Sequence, residues 1–294
     1  MPQNVRFDAN LCGRFSNGEQ FVLFSLDLTS TLTLSVGDMQ IYEINAGTLR
    51  PAGGRENFGH DHMVCRILVV EVGNRLVAVD TGIGSRDIAS PTSRLGRKWL
   101  DLINPDLNED ETLATQLKAL GYGVSDVTDI VLTHVHRDHV GGVGDFPSAN
   151  VHIFQTEDVG DKPHAHSSFD GHENSGWADG ALWASRPVSA RPWRGFPTFA
   201  LDGLPQSIRY LPLPGHTADH AGVLLEEDSG EFILHAGDAA FHRNQFLGGD
   251  VPFGIAEFTA ATQADEAQRR NSESILSEIS TWGDVRIVTA HSPD

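Results

Sequence analysis

The chain has 294 residues, of which 39% are hydrophobic and 21% charged, and this predicts one large globular α/β domain. Because nucleic acids and anionic membranes are bound through basic patches, the formal net charge of −19 excludes both as expected partners. Two cysteines make no disulfide framework, and the start of the chain lacks the apolar run of a secretory signal. We therefore expect a cytoplasmic protein that acts on a small molecule, and either a monomer or a homodimer fits.

Hydrophobic periodicity predicts alternating strands and helices after residue 37. Residues 1–37 are expected to form an N-terminal extension, either an edge strand or a tail, ahead of a domain over 38–294. The dipeptide Gly73-Asn74 joins two apolar runs and predicts a hairpin. In chain order, strands are predicted over 39–46, 64–72, 76–80, 129–133, 151–155, 208–211, 221–226, 231–234 and 285–288, and helices over 111–120 and 263–282.

Two stretches are predicted to be loops near a substrate pocket. Residues 47–61 are rich in glycine and contain His60, and His62 follows directly after them; we expect both histidines at the edge of the pocket. Residues 158–203 carry several prolines and aromatic residues, including Trp177 and Trp183, without clear periodicity. A long loop inside a compact domain is usually functional, so this aromatic insertion is predicted to be a wall or lid of an apolar pocket, or else a satellite cluster on the core.

The most informative stretch is T-H-V-H-R-D-H-V-G-G, which follows the apolar run at 130–132. It places His134, His136, Asp138 and His139 within six residues. Burying so many polar side chains is costly unless each has a partner, and a metal ion supplies all the partners at once. Imidazole and carboxylate without cysteine suit zinc, or iron or manganese. The alternative is a solvated histidine-rich loop.

Three more residues follow short apolar runs in the same way. These are His216 in L-P-L-P-G-H-T, Asp238 in I-L-H-A-G-D and His291 in V-T-A-H. Ligands that each follow a strand indicate a site built from loops at one edge of a sheet. Together with the first run they make five histidines and two aspartates, too many for one tetrahedral ion and suitable for two. Most of the remaining histidines are expected to be structural or solvated.

The run H-x-H-x-D-H, followed by a single His, a single Asp and a last His, resembles the metallo-β-lactamase-fold hydrolase superfamily. The resemblance covers about residues 39–291, and Asp80-Thr81-Gly82 is similar to a turn that this superfamily carries ahead of the metal motif. It implies an αββα sandwich, with two mixed sheets between helix layers. It also implies two divalent metal ions, most often zinc, in which His134, His136 and His216 hold the first, Asp138, His139 and His291 hold the second, Asp238 bridges them and Asp80 orients a ligand.

In this family a water bound between the two ions loses its proton near pH 7 and becomes the attacking hydroxide. Asp138 and Asp238 are then the candidates for passing a proton to the leaving group. The sequence looks most like the branch that hydrolyses lactones, esters and thioesters, including the N-acyl-homoserine lactonases. One position departs from those lactonases, because Phe241 stands where they carry a tyrosine and cannot donate a hydrogen bond. Either the metal alone polarises the carbonyl, or His242 substitutes, or the substrate is a different one.

Other branches of the superfamily fit less well. β-Lactamases of this fold usually carry cysteine at the position of Asp238, and flavo-diiron proteins carry glutamate at that of His136. The chain continues for three residues beyond His291, so we do not expect the helical extension of glyoxalase II. A mononuclear iron persulfide dioxygenase stays the main alternative. A polyketide-type thioesterase and an organophosphate hydrolase of the same fold are also retained.

Overall fold

The computed structural model describes residues 40–154 and 191–293, and outside these ranges only the strand assignments of residues 12–14, 20–22, 32–36, 39, 182–183 and 190. The strands are β1 (Cys12–Arg14), β2 (Gln20–Val22), β3 (Leu32–Val36), β4 (Met39–Leu49), β5 (Met63–Val72), β6 (Arg75–Val79), β7 (Val127–Leu132), β8 (Asn150–Ile153), β9 (Leu182–Trp183), β10 (Ala190–Trp193), β11 (Phe196–Ala200), β12 (Ile208–Pro212), β13 (Ala221–Glu226), β14 (Phe232–His235) and β15 (Val285–Val288).

The α-helices within the described ranges are mostly short. They are α1 (Gly54–Phe58), α2 (Ser85–Ala89), α3 (Pro91–Leu95), α4 (Arg97–Ile103), α5 (Leu113–Ala119), α6 (Arg137–Val140), α7 (Asn244–Leu247), α8 (Phe253–Thr262) and α9 (Glu266–Ile279). Single 3-10 turns cover Glu109–Glu111, Val124–Asp126, Gly141–Asp145 and Gly237–Ala239. Among the described residues, no helix is long and apolar enough to cross a membrane.

Two mixed sheets form the centre of the fold. The first has seven strands in the order β3-β4-β5-β6-β7-β8-β9, and the second has six in the order β10-β11-β12-β13-β14-β15. Strands β6 to β9 are parallel to one another, and so are β14 and β15, while the other neighbours are antiparallel. The edge strand β3 pairs with β4 and brings residues 32–36 into the first sheet.

Each sheet is buried on both faces, which is why its strands read as nearly continuous apolar runs. In β5, Leu68 and Val70 pack in the cluster between the two sheets, whereas Ile67 and Val69 pack on the outer face with Leu117 of α5. In β14, Ile233 lies in the cluster between the sheets, and its neighbour Leu234 packs outward with Leu276 of α9. The layers are therefore helix, sheet, sheet and helix, and the predicted αββα sandwich is confirmed.

Most of the predicted strands are confirmed, including the hairpin across Gly73-Asn74, which joins β5 and β6. The prediction of a loop through residue 203 was wrong at its C-terminal end, where β10 and β11 form a hairpin. Pro192 and Pro197 hid these strands from the sequence pattern, and they are tolerated because they face each other at the edge of the second sheet. Trp193 is buried against Trp282, so it belongs to the core.

The prediction of a loop over 47–61 was also wrong in part, because β4 continues to Leu49 and α1 follows Gly53. The short helices α2, α3, α4 and α8 had no counterpart among the predicted elements. They are too short, or too evenly apolar, to show a helical period. Trp177 and the side chain of Trp183 lie outside the described residues, and the division of the chain at residue 37 stays a prediction.

Tyr210 is predicted to be a stabilising link between the sheets. Its buried hydroxyl lies 2.9 Å from the carbonyl oxygen of His152 and 3.2 Å from that of Leu132, and these two acceptors share its one hydrogen. Substitution Tyr210→Phe leaves these carbonyls without that donor, so we expect the free energy of unfolding to fall by about 1–2 kcal/mol. Urea denaturation measures this. As a control, Ser280→Ala removes an exposed hydroxyl bond to the Ser277 carbonyl and should cost about half as much or less; equal losses would contradict the prediction.

Candidate metal centre

The candidate site lies where strands of both sheets end at one edge. Asp80 follows β6, and His134 follows β7, its parallel neighbour in the first sheet. His216, Asp238 and His291 follow β12, β14 and β15 of the second sheet. Strands β12, β14 and β15 run in the same direction, because β12 and β14 are both antiparallel to β13 and β15 is parallel to β14. The topology therefore gathers residues that are far apart in the sequence.

The predicted ligands form two groups. Within each group, one nitrogen or oxygen atom of each residue lies within 4.8 Å of those of the others, an arrangement that can hold a metal ion. The first group is His134, His136, His216 and Asp238, and the second is Asp138, His139 and His291.

The carboxylate of Asp238 stands between the two groups. Its Oδ2 atom lies 3.3 Å from His216 Nε2 and 3.7 Å from His134 Nε2. Its Oδ1 atom lies 3.1 Å from His291 Nε2 and 3.3 Å from His139 Nε2. One oxygen therefore faces each group, which is the arrangement expected of a bridging carboxylate.

Asp80 orients His139 and His134 from behind. It is buried and accepts three hydrogen bonds of 2.8 Å, from the Thr133 N–H, the Thr133 hydroxyl and His139 Nδ1. The Thr133 oxygen in turn lies 3.1 Å from His134 Nδ1. Burial would raise the pKa of Asp80, but the nearby His139 outweighs this and lowers it. With Nδ1 occupied in both rings, the Nε2 lone pairs point into the site.

Asp80 has a left-handed backbone, with φ of 61°. This conformation is costly for residues other than glycine, although aspartate and asparagine adopt it more readily than most. It allows the chain to turn immediately after β6, so that one carboxylate reaches the start of the metal motif. The strained backbone conformation is therefore found at Asp80, the residue that orients His139 and His134.

His291 is oriented by the backbone of β5. Its Nδ1 donates to the carbonyl oxygen of Val64, 2.8 Å away, which leaves Nε2 free to face Asp238 and Asp138. The Nε2 atom lies 3.6 Å from the nearer oxygen of Asp138. A backbone carbonyl thus does for His291 what Asp80 does for His139.

The chemistry of these groups fits a divalent cation. Among the described residues, His134 Nε2, His139 Nε2 and Asp238 Oδ1 are buried without a hydrogen-bond partner, and such atoms are rare unless something else satisfies them. Burial lowers the pKa of His134 and His216 well below the usual value, and that of His136 to about 4. These imidazoles are neutral at pH 7, which is the form that binds metal.

In the second group, the neighbouring carboxylate Asp238 raises the pKa of the histidines. Burial lowers the pKa of His139 and His291, but attraction to Asp238 outweighs it and raises both. Asp238 itself is buried, which would raise its pKa, yet these two imidazoles hold it well below its usual range. A buried carboxylate with this low pKa is stable only beside positive charge, and a divalent cation would also supply such charge.

Two further histidines hold the loop that carries Asp238. His220 donates from Nδ1 to the Leu213 carbonyl and accepts the Asp238 N–H at Nε2, with distances of 2.9 and 3.0 Å. His235 accepts the N–H of Gly237 at Nδ1. Gly237 has a φ of 53°, and a side chain there would place its Cβ 2.6 Å from His220 Nε2. His220 and His235 are thus two of the remaining histidines with the structural role expected of most of them, although the sequence did not show which groups they bind.

Two adjoining cavities open beside the site. The first encloses about 400 Å³, partly open to solvent, and it is lined by Leu49, Pro51, Phe58, Met63, Leu102, Ile103, Asp138, Phe241, Phe258 and His291. The second encloses about 460 Å³ and is lined by Trp99, Leu102, His136, Arg137, Asp138, His216, Asp238, Phe241, Phe258 and Thr262. The first is almost wholly apolar apart from Asp138 and His291, whereas the second contains several polar groups.

Of the predicted pocket residues, Phe241 lines both cavities. Its ring is stacked on His291 and stands edge-on to His216, with centroids 5.6 Å away in each case. Neither cavity is lined by His60, His62 or His242, although the His60 and His242 rings lie 6.2 Å apart nearby. These three stay predictions only.

The sequence pattern missed the walls that α4 and α8 supply. Trp99 and Ile103, four residues apart, are buried on one face of α4, and Leu102 lies at the mouth of both cavities. Phe258 of α8 packs edge-on against Phe241. The spacing of Trp99 and Ile103 was the available signal, but a helix of seven residues is too short to be convincing on that basis.

Comparison with known proteins agrees with this geometry. Residues 61–291 match the sequence profile of the metallo-beta-lactamase superfamily. A probable metallo-hydrolase of Mycobacterium bovis is 34% identical over 263 residues, which cover 87% of this chain and 81% of that protein. An N-acyl homoserine lactonase of Rhizobium radiobacter is 24% identical over 272 residues, covering 87% and 94%.

Among solved structures, a dizinc quorum-quenching lactonase in complex with a homoserine product aligns with a TM-score of 0.60 at 16% identity, covering 91% of this chain and 92% of that one. At this identity the likeness shows the fold alone. The fold, the candidate metal ligands and the relatives together define a metal-dependent hydrolase. The chain belongs to the metallo-beta-lactamase superfamily.

Asp80→Asn is predicted to weaken metal binding at the Asp138–His139–His291 group. Asparagine tolerates the left-handed backbone but lacks the charge that holds His139, so we expect the affinity of that group to fall about 10- to 100-fold. Competition with a chelator, followed by zinc determination, measures this.

Asp129→Asn is the matched control for that substitution. Asp129 is also buried and bonds a histidine, His152, at 2.9 Å, but neither residue belongs to the two groups. This variant should lose stability and keep its zinc affinity. Equal metal loss in both variants would show that the effect of Asp80 is not specific to the site.

Proposed function

We propose that the chain is a dinuclear metal-dependent hydrolase of a small molecule that carries a lactone, carboxylic ester or thioester bond and a hydrophobic portion. The observation that carries the proposal is the position of Asp238, which turns one oxygen to each of the two ligand groups. A single ion would leave one group without a cation. Two ions use all seven residues, and zinc suits their imidazole and carboxylate atoms.

The bound ions would polarise the scissile carbonyl and lower the pKa of a water to about 7. The residues of the chain then have separate tasks. Asp238 is buried and is suited to fix the spacing of the two groups. Asp138 is less buried and borders both cavities, so its carboxylate is placed to take a proton from the attacking water and deliver it to the leaving oxygen or sulfur.

The cavities support a substrate with unlike halves. The first cavity reaches the second ligand group at Asp138 and His291, and the rest of its lining is apolar. The second cavity borders the first ligand group and contains Arg137 and Thr262. A hydrophobic chain fits the first, and the polar part of the molecule fits the second.

Phe241 bears on the identity of the substrate. It stands between the cavities without a hydroxyl group, so carbonyl polarisation is left to the metal ions or to His242. His242 Nδ1 already accepts the N–H of Asn244, and its ring lines neither cavity, which favours the metal ions. The relatives named as N-acyl homoserine lactonases support a lactone as the first substrate to try.

Metal content and activity together test the proposal. Protein purified without added metal is expected to contain about two zinc ions, with manganese or cobalt as substitutes, and to hydrolyse a panel of N-acyl lactones, aryl esters and thioesters. His134→Ala and Asp238→Ala each remove a ligand, and we expect activity to fall at least about 1,000-fold. About one iron per chain, with oxygen consumption on a persulfide and no hydrolysis, would instead identify a persulfide dioxygenase.

Leu102→Glu tests the apolar cavity. Leu102 lines both cavities and is 41% exposed, so a charge there should be compatible with folding. We expect the KM for substrates with long acyl chains to rise about tenfold, equivalent to about 1.4 kcal/mol, with little change in kcat. Leu247→Glu is the control, since Leu247 is 54% exposed and lines neither cavity. Equal effects of the two substitutions, or a loss independent of chain length, would contradict this use of the cavity.

A further inference from the structure

The segment that carries His291 is fastened along β5. The Arg66 N–H donates to the Ala290 carbonyl at 2.8 Å, and the Val64 N–H donates to the His291 carbonyl at 3.4 Å. The return contact is the His291 Nδ1–H bond to the Val64 carbonyl described above. Residues 290–292 therefore follow β5 after β15 has ended, and β5 belongs to the other sheet.

The Arg66 side chain adds a second attachment. Its guanidinium donates to the carboxylate of Glu43 on β4 and, through its other terminal nitrogen, to the carbonyl oxygen of Ser292. The side chains of Arg66 and Glu43 are 13% and 9% exposed, so the pair is largely removed from water. A guanidinium is planar and presents several donors in fixed directions, and one group can therefore bind both acceptors at once.

Glu43 also binds a second arginine, Arg286. Arg286 on β15 donates to the other oxygen of Glu43 at 2.9 Å. One oxygen of Glu43 therefore binds Arg66, and the other binds Arg286. Arg66 thus bonds both Glu43 and residues 290–292, whereas the hydrogen bond of Arg286 goes to Glu43.

We propose that Arg66 is a positioning residue for the second metal ion. Held by Glu43, it fixes the segment 290–292 against β5 and so sets the place of the His291 imidazole. The role of Arg66 in binding a second metal ion rests on the proposed function, whereas its attachment of residues 290–292 to β5 does not. Segments outside strands and helices keep one conformation only where contacts tie them down, and here the residue in such a segment is a predicted ligand.

The variants separate this role from a general loss of stability. Arg66→Met removes the side-chain bonds to Glu43 and Ser292, and Arg66→Lys keeps a charge opposite Glu43 but cannot present the planar fork. Arg286→Met is the matched control, because it removes an arginine from the same carboxylate and keeps the hydrogen bonds between β5 and residues 290–292. The lysine variant keeps the test valid if the methionine variant does not fold.

The first measurement is hydrogen exchange of the backbone N–H groups of residues 289–292, in metal-free protein. We expect exchange at least about tenfold faster in both Arg66 variants than in wild type, and unchanged exchange in Arg286→Met. The second measurement is zinc content after reloading with Zn²⁺ and graded removal by a chelator. The Arg66 variants should release one of two zinc ions at a chelator concentration at least about tenfold lower, while the other ion stays bound.

Equal exchange and equal zinc retention in the Arg66 variants and Arg286→Met would overturn the proposal. If wild-type protein retained only one zinc ion, the dinuclear function would fail instead. The exchange measurement in metal-free protein would still decide whether Arg66 fastens the segment. The two failures are therefore distinguishable.

Discussion

The structure depends on one buried carboxylate placed among imidazoles. Asp238 is 4% exposed, and a carboxylate removed from water is stable only when positive charge and hydrogen bonds surround it. The surrounding elements supply these conditions. Five strand ends converge on it, His220 binds its backbone N–H, and Gly237 provides the conformation that lets the loop pass close to His220. Packing of the two sheets therefore stabilises much of the arrangement of this site.

The ligand set could be predicted because its signal is local. Four candidates lie within six residues, and each of the other three follows a recognisable apolar run at a short interval. The residues that orient the ligands were only partly predictable. Asp80 could be predicted from its turn motif, but the carbonyl of Val64 could not, because any residue type offers a carbonyl and only the pairing of chain segments decides which one is used.

The cavity walls and several elements could not be predicted for a related reason. Trp99, Leu102 and Phe258 come from short helices that are far apart in the sequence and meet only in the folded chain. The hairpin of β10 and β11 was hidden by prolines whose tolerance depends on lying at the edge of a sheet. Strands buried on both faces, such as β5, were predicted well because an apolar run of that length has few alternatives.

The origin of the ligands in both sheets has a consequence for how the molecule could be divided. Residues up to 154 carry His134, His136, Asp138 and His139, and residues from 191 onward carry His216, Asp238 and His291. Neither portion holds all the residues of either ligand group. If the chain were cut between these portions, each fragment alone would lack a complete ligand group. High-affinity zinc binding would then return only when the two fragments associate, and it would report their complementation.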